Sequence, residues 1–491
     1  MTLETSVVEA TDPLGSASVE RSIRELNRVF DRQRTSRVTD PLPDYQTRLS
    51  RLRQVERMMV ECRKPIQLAL QEDFGSHPEA VTDLLETVAV IGRSRNAQRK
   101  LKKWMDDRPV RLNEAVYGES EARVVYEPLG VLGVIGPWNF PIECSLVMVN
   151  DIFAAGNTAI IKPSESSPAS AEVLHKIVSE YFDERVLSVV TGGPEVGMAF
   201  ARMPWDHLTF TGSPAIGKLV SEAAASRLVP VTLELGGKNP ALFAQDGLTR
   251  ELVETFLSYR ALKSGQVCTS PDYVLVHRSQ ITQFAELASS IWTEIYPTFV
   301  GGPDATGIIN THHFQRIMGY VKDAEGRGAK VVSLNGEQPR SDLRQIPMTL
   351  ILDPPLDSLC MTEEIFGPVI PVTTYETFDE AILRINEGHR PLAGYLASYD
   401  QEKIDTFVAR VRSGGVAVNT FGTQAAHPDL PFGGVGNSGS GYHSGWEGFA
   451  NYSHAKAVFI GDSNSHMNAA LGLPYGEVTR GAVDLFFADD K

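Results

Sequence analysis

Between residues 18 and 105, apolar residues recur at helical spacing: Leu26, Val29 and Phe30, then Leu49, Leu52, Val55, Met58 and Met59. The pattern predicts a helical layer over a later sheet. From Val131 the period changes. VLGVIG (131–136), TAII (158–161), LSVV (187–190), HLTF (207–210) and VTLEL (231–235) are short β-rich runs, and the intervening segments 142–155, 168–182 and 215–226 suit helices. Such alternation is joined by right-handed crossovers and predicts a parallel, doubly wound sheet. A second alternation from about Arg250 to Ser398 predicts another α/β unit. The stretch VRLNEAVYGESEARVVYEP (110–128) differs, reading as two polar extended arms around a Gly-Glu-Ser turn, a projecting hairpin rather than a core strand.

Composition narrows the class. A chain of 491 residues with 42% apolar and 22% charged residues is globular and long enough for two or more domains. Its net charge of −15 argues against a general binder of nucleic-acid backbones. The basic run RSRNAQRKLKK (93–103) accordingly reads as a solvated helix face. The four cysteines, Cys62, Cys144, Cys268 and Cys360, form no C-x-x-C pair, which fits free thiols in a reducing compartment and predicts a cytoplasmic protein. Residues 1–18 carry no apolar core of an export leader, and no unbroken apolar run of 18 residues follows, so no membrane partner is expected. The eleven histidines make no H-E-x-x-H or Cys/His ligand spacing, so no metal is expected, and His312-His313 read as exposed.

Two glycine motifs mislead if taken alone. GSPAIGKL (212–219) satisfies G-x-x-x-x-G-K but ends in Leu219, where a P-loop needs a hydroxyl for magnesium. GVGNSG (434–439) matches G-x-G-x-x-G yet follows no strand, and reads as a tight loop needing glycine dihedrals. Gly212 itself is better placed. It stands in Thr211-Gly212-Ser213 between a predicted strand and a predicted helix, the geometry of a phosphate site. TGGPEVG (191–197) also follows a strand, so two glycine turns fall on one carboxyl edge, where open α/β sheets bind ligands. A third turn, IIKPSE, supplies Lys162 and Glu165, either as ribose ligands or as ordinary surface residues.

Three residues are candidates for chemistry. Cys268 lies in KSGQVCTS (263–270), polar company that suits a reactive thiolate, although a buried cysteine is the commoner case. Glu234 is an acid inside the apolar strand VTLEL, either desolvated enough to take a proton from water near neutrality or paired with Lys238. Asn139, in GVIGPWNFP, is either an amide donor to an oxyanion or a helix cap.

Taken in order, PWNFP (137–141), IIKPSE (160–165), FTGS (210–213), LELGGKNP (233–240), GQVC (265–268), EEIFGPV (363–369) and LPFGGVGNSG (430–439) resemble the signature blocks of the NAD(P)-dependent aldehyde dehydrogenase superfamily. SPDYVLV (270–276) and LPYG (473–476) are most similar to its class 3 branch, which includes coniferyl aldehyde dehydrogenases. The resemblance implies an α/β fold with a parallel-sheet, Rossmann-type cofactor domain (1–109 and 129–235), an α/β catalytic domain (236–435) and bridging elements (110–128 and 436–491) that make a homodimer. It implies oxidation of an aryl or medium- to long-chain aldehyde to the acid through a thiohemiacetal and thioester on Cys268. The Asn139 amide and the Cys268 N–H would hold the oxyanion, and Glu234 would activate water. Lys162, Glu165 and Glu364 would hold ribose hydroxyls, Gly212 and Ser213 the pyrophosphate region, with Phe366 beside the nicotinamide ribose and Trp138 and Gly236 also at the cofactor. Glu165 would repel a 2′-phosphate, which favours NAD, although the branch admits NADP. Glu143 and Cys144 follow PWNFP where the branch lines its substrate tunnel, and Phe421 and His427 precede the glycine loop at its mouth. Glu143 reads more readily as an exposed acid at a helix N-terminus, and Phe421 and His427 equally as ordinary loop residues.

Overall fold

A computed structural model describes residues 13–488; the acidic start as far as residue 12 and the last three residues lie outside the described residues. Three sheets organise the chain. The first has six strands in the order Gly439–Ser440, Val231–Leu235, His207–Gly212, Val131–Ile135, Thr158–Lys162 and Leu187–Val189. Its five longer strands are parallel and are the five runs expected from the sequence; the two-residue edge strand is antiparallel. Order reverses beside Val131–Ile135, because the chain runs outward through 158 and 187 and then returns to 207 on the other side.

Burial on both faces explains why these strands read as continuous apolar runs. Leu132, Val134, Ala159 and Ile161 pack into one core with helices Tyr45–Glu61, Ala89–Trp104 and Glu143–Ala154. Val131, Ile135, Ile160 and Leu208 face the other way, onto Leu26, Val29 and Phe30 of helix Pro13–Thr39 and onto Phe200. The expected helical layer is therefore divided between the two faces. The switch of side at alternate residues is the pleat of a strand.

The second sheet has seven strands in the order Lys330–Ser333, Thr349–Leu352, Val369–Tyr375, Tyr273–His277, Pro240–Phe243, Ala393–Ala397 and Gly415–Val418. All are parallel except the edge strand Lys330–Ser333. The third is antiparallel, with Glu121–Pro128 between Arg108–Val110 and Ser453–Ile460. The expected hairpin differs here. Its first arm ends at Val110, and a short helix, Glu114–Tyr117, capped by the Asn113 side chain, fills the stretch before the turn. An Asn that can accept the Ala115 N–H favours that cap over a longer strand. The main partner of Glu121–Pro128 comes from Ser453–Ile460, far away in sequence, which no local pattern reveals. The GVGNSG loop is a tight turn: Gly436 and Gly439 have φ of 64° and 143°, and a Cβ at Gly439 would meet Leu233 O at 2.0 Å.

Among the described residues no helix is long and apolar enough to cross a membrane, and no group of three or more His, Cys, Asp or Glu is arranged to hold a metal ion. The basic run 93–103 lies on helix Ala89–Trp104, where Arg95, Arg99, Lys102 and Lys103 are exposed but Ser94, Asn96, Ala97 and Leu101 are buried; the solvated-face reading is corrected at Arg93, which is also buried, bonded to Ser444 Oγ and, at 2.7 Å, to Ala425 O.

Candidate active site

The carboxyl ends of Val131–Ile135, Thr158–Lys162, His207–Gly212 and Val231–Leu235 open into a cavity of about 1780 Å³. It lies at the point where strand order reverses, the position that open α/β sheets use for ligands. Asn139, Glu234 and Cys268 all line it, although they stand far apart in the sequence.

Cys268 follows a strained strap. Helix Arg250–Ala261 gives way to Leu262–Gly265, in which Lys263, Ser264 and Gly265 have φ of 50°, 52° and 74°, a run of left-handed residues in which only the glycine is at ease. The polar side chains around the cysteine hold this strap rather than the sulfur. Ser264 Oγ donates to Thr306 O at 2.6 Å, Gln266 Nε2 donates to Lys263 O and Gly307 O at 2.9 and 3.0 Å, and Thr269 Oγ meets Tyr259 Oη at 2.6 Å. Burial therefore pushes the Cys268 thiol well above its usual range, with Glu143, Glu234 and Glu364 adding to the effect and the Thr269 N–H opposing it. The polar neighbours are thus no activating shell: burial favours the neutral thiol until a proton acceptor takes its hydrogen.

Asn139 is buried, and Nδ2 donates to Gln266 O at 3.1 Å, on the strap just before Cys268. It caps no helix: Glu143–Ala154 begins after Ile142 without a side-chain cap. Glu234 is 3% exposed, and both carboxyl oxygens are buried without a hydrogen-bond partner. Desolvation pushes its carboxyl well above the ordinary range. Pairing with Lys238 is excluded, because that ammonium bonds Asp272 and the carbonyls of Cys360 (2.9 Å) and Glu363 (3.0 Å). The edge strand Gly439–Ser440 flanks Glu234 in register.

The other arm of the cavity is lined by Trp138, Lys162, Glu165, Gly212, Ser213, Gly236, Glu364 and Phe366. Lys162 is not a solvated lysine: it is 3% exposed and pairs with Glu165 at 2.5 Å. Ser213 caps helix Pro214–Ala225, its Oγ accepting the Ile216 N–H at 3.4 Å. A Cβ at Gly236 would lie 2.2–2.7 Å from the Glu364 carboxyl, so only glycine lets that acid reach the sheet edge and accept the Gly237 N–H at 3.0 Å. Burial raises Glu364 to about 7. Phe366 packs edge-on against Trp138, with ring centroids 5.3 Å apart. Met198, Ile216 and Leu219 also line this arm and are exposed, an apolar shelf for a flat base. A lysine–glutamate pair, a capped helix start and an apolar shelf in one groove fit a dinucleotide.

Glu143 and Cys144 open helix Glu143–Ala154 and line the cavity near Cys268. Glu143 is not the exposed acid of a helix N-terminus: it is half-buried, and burial raises its carboxyl against the pull of Arg93. Phe421 touches the cavity but belongs chiefly to a core cluster with Phe243, Phe256 and Tyr395. His427 is exposed and does not line the cavity, although its neighbours Ala426 and Pro428 do, because the ring turns back toward the Asp429 N–H at 3.2 Å. Sequence reasoning missed His313 and Arg316. His312 is exposed, but His313 lies against Trp138 with centroids 5.1 Å apart, and its imidazole is lowered to about 4 by burial and the adjacent Arg316. Arg316 bonds Glu364 O at 3.1 Å and Ile365 O at 2.9 Å, fixing the turn that carries Glu364. Their spacing on helix Thr311–Gly326 was the available signal.

Residues 33–458 match the model of the aldehyde dehydrogenase family. The chain belongs to that family. A probable coniferyl aldehyde dehydrogenase of Caulobacter vibrioides is 39% identical over 93% of this chain and 95% of its own length. Among solved structures, the substrate-bound AldH of Staphylococcus aureus superposes with a TM-score of 0.88 at 30% identity, covering 94% of this chain and 99% of that one. A Mycobacterium tuberculosis aldehyde dehydrogenase complexed with NAD+ has a TM-score of 0.79 at 27% identity, covering 91% and 90%. This aldehyde dehydrogenase is thus an NAD(P)-dependent oxidoreductase that converts an aldehyde to the carboxylic acid, on the α/β fold expected from its sequence.

Proposed function

We propose that Cys268 is the nucleophile of this oxidation, that Asn139 stabilises the oxyanion and that Glu234 is the base for hydrolysis. One observation carries the reading: these three groups line a single cavity, with Glu234 unpartnered and Asn139 tethered to the strap that carries the cysteine. The Cys268 sulfur attacks the aldehyde carbon as its proton passes to water in the cavity, forming a C–S bond and an oxyanion. That oxygen sits between the Asn139 amide and the Cys268 N–H. When bound, the dinucleotide would supply the acceptor for the aldehyde hydrogen as hydride, which leaves a thioester on Cys268. Glu234 then takes a proton from water, the C–S bond of the thioester breaks, and the thiol is restored as the acid leaves.

Lys162, Glu165 and Glu364 would hold the ribose hydroxyls, and Gly212 and Ser213 the pyrophosphate. The Glu165 carboxylate favours NAD over NADP by repelling a 2′-phosphate. The Caulobacter relative, together with an apolar tunnel that carries Glu143 and Arg93, favours an aryl aldehyde bearing a hydroxyl group. A homodimer formed through the sheet of Glu121–Pro128 and Ser453–Ile460 is part of the same reading, supported by exposed Phe459 and Ile460 on the outer strand. Four free cysteines suit a cytoplasmic setting.

The test is NADH formation by the purified protein with NAD+ and a panel of coniferyl aldehyde, benzaldehyde and hexanal. Turnover of an aryl aldehyde is expected. Oxidation of hexanal alone would reject the substrate reading, and full activity of Cys268→Ala would reject the mechanism.

A further inference from the structure

Lys263 and Glu86 are both wholly buried and form an ion pair. Neither reaches the cavity, but the pair grips the loop that carries Asn139. Lys263 Nζ donates to Asn139 O at 2.6 Å and lies 4.1 Å from the centroid of the Phe140 ring. The other carboxyl oxygen of Glu86 accepts the N–H groups of Ile142 at 3.2 Å and Glu143 at 2.8 Å. Four of the five consecutive residues from Asn139 to Glu143 are thereby fixed to one charge pair.

Each partner sits on irregular backbone. Glu86 projects from a π-helical turn, Asp83–Val88, of a kind often found at functional sites. Lys263 is left-handed at φ 50° in the strap that leads to Cys268. Strain of this sort persists where the surroundings over-determine the conformation. Replacing a buried ion pair by apolar groups is often neutral or stabilising, so stability alone gives no reason for this one. Placement does. Asn139 is held at both ends by the same strap, its carbonyl by the Lys263 ammonium and its amide by Gln266 O.

We infer that Lys263 and Glu86 are positioning residues that set the Asn139 amide against the oxygen formed at Cys268. The inference rests on the oxyanion reading of Asn139, and the test separates the two. The charge-neutral variant Glu86→Gln with Lys263→Met is compared with Asn139→Ala, and with all three changes together, by kcat/KM for the best aldehyde and by KM for NAD+. Removing an oxyanion donor typically costs roughly 10²–10³ in rate, so about a 10- to 100-fold loss is expected from misplacing one. The KM for NAD+ should stay within about twofold, and the loss should vanish in the Asn139→Ala background, as for groups acting through one contact. If Asn139→Ala alone leaves kcat/KM intact, the oxyanion reading fails. If Asn139→Ala is costly but the pair variant is inert, or its loss multiplies in full with that of Asn139→Ala, only the positioning role fails. Should the pair variant not fold, single Glu86→Gln repeats the comparison, removing one acceptor oxygen: a loss of at least threefold that disappears with Asn139→Ala supports the role, and an additive one overturns it.

Discussion

Glu234→Gln separates the two halves of the reaction and also reads the cost of burying this acid. The carboxyl is 3% exposed with neither oxygen hydrogen-bonded, so its neutral form is favoured and the ionised form needed of a base is available only well above the ordinary carboxylate range. General-base catalysis contributes typically about 10²–10⁴ in rate, roughly 3–5 kcal/mol of barrier, and that factor should be lost from hydrolysis alone. In rapid mixing with NAD+ and aldehyde, the variant should release about one equivalent of NADH per site in a burst and then turn over at least about 100-fold more slowly than wild type. Stability gives an independent reading. A carboxyl raised on folding is protonated in the native state while its unfolded counterpart is ionised, so the protein loses about 1.4 kcal/mol per pH unit as pH rises from the ordinary carboxylate range toward the folded value. Glutamine removes that slope. The melting temperature of the variant relative to wild type should rise between pH 5 and pH 6. Unchanged steady-state turnover would refute the base role, and a pH-independent difference in melting temperature would refute the desolvation argument.

Other outcomes follow from the same site. Glu364 is raised to about 7, so its carboxylate should accept ribose hydroxyls above that pH and lose an acceptor below it: KM for NAD+ should climb as pH falls through 7, and Glu364→Gln should show a high, pH-independent KM. Glu143 pushes the Cys268 thiol upward, so Glu143→Gln should speed alkylation of Cys268 by iodoacetamide at pH 8 by roughly threefold or more, followed by peptide mass spectrometry. Asp151, buried on helix Glu143–Ala154, is raised from 3.8 to about 7, so the native state is favoured at low pH and loses stability as pH rises through that window. Asp151→Asn should therefore melt progressively higher than wild type from pH 5 to pH 7, with a pH-independent difference counting against the assignment.

Much of this was legible along the chain. The five parallel strands announce themselves because both faces are buried, and glycine turns mark their carboxyl ends. Asn139, Glu234 and Cys268 each carried two readings in the sequence, and the fold removes the helix-cap and Lys238-pair alternatives by showing where Asn139 Nδ2 and Lys238 Nζ are bonded. What local pattern could not supply is contact over distance. Lys263 and Glu86 stand 177 residues apart, and apart they read as a strap lysine and a helix acid. The polar residues around Cys268 looked like an activating shell because composition does not say where a hydroxyl points; most point into the scaffold. Arg93 looked solvated, and Lys162 carried a surface reading beside the ribose one, for the same reason, since charge predicts exposure only until a buried partner is known. Phe421 and His427 share one loop, and only the fold distinguishes a ring packed into the core from one turned toward solvent.

The central claim is a covalent acyl group on Cys268, and it is tested most directly by trapping that group. Glu234→Gln protein is mixed with NAD+ and the best aldehyde, quenched in acid, digested and examined by mass spectrometry. The peptide holding Cys268 should gain the mass of the aldehyde less two hydrogens, in step with the NADH released, and Cys268→Ala should give neither adduct nor NADH. An unmodified Cys268 during NADH release, or oxidation that persists in Cys268→Ala, would contradict the account.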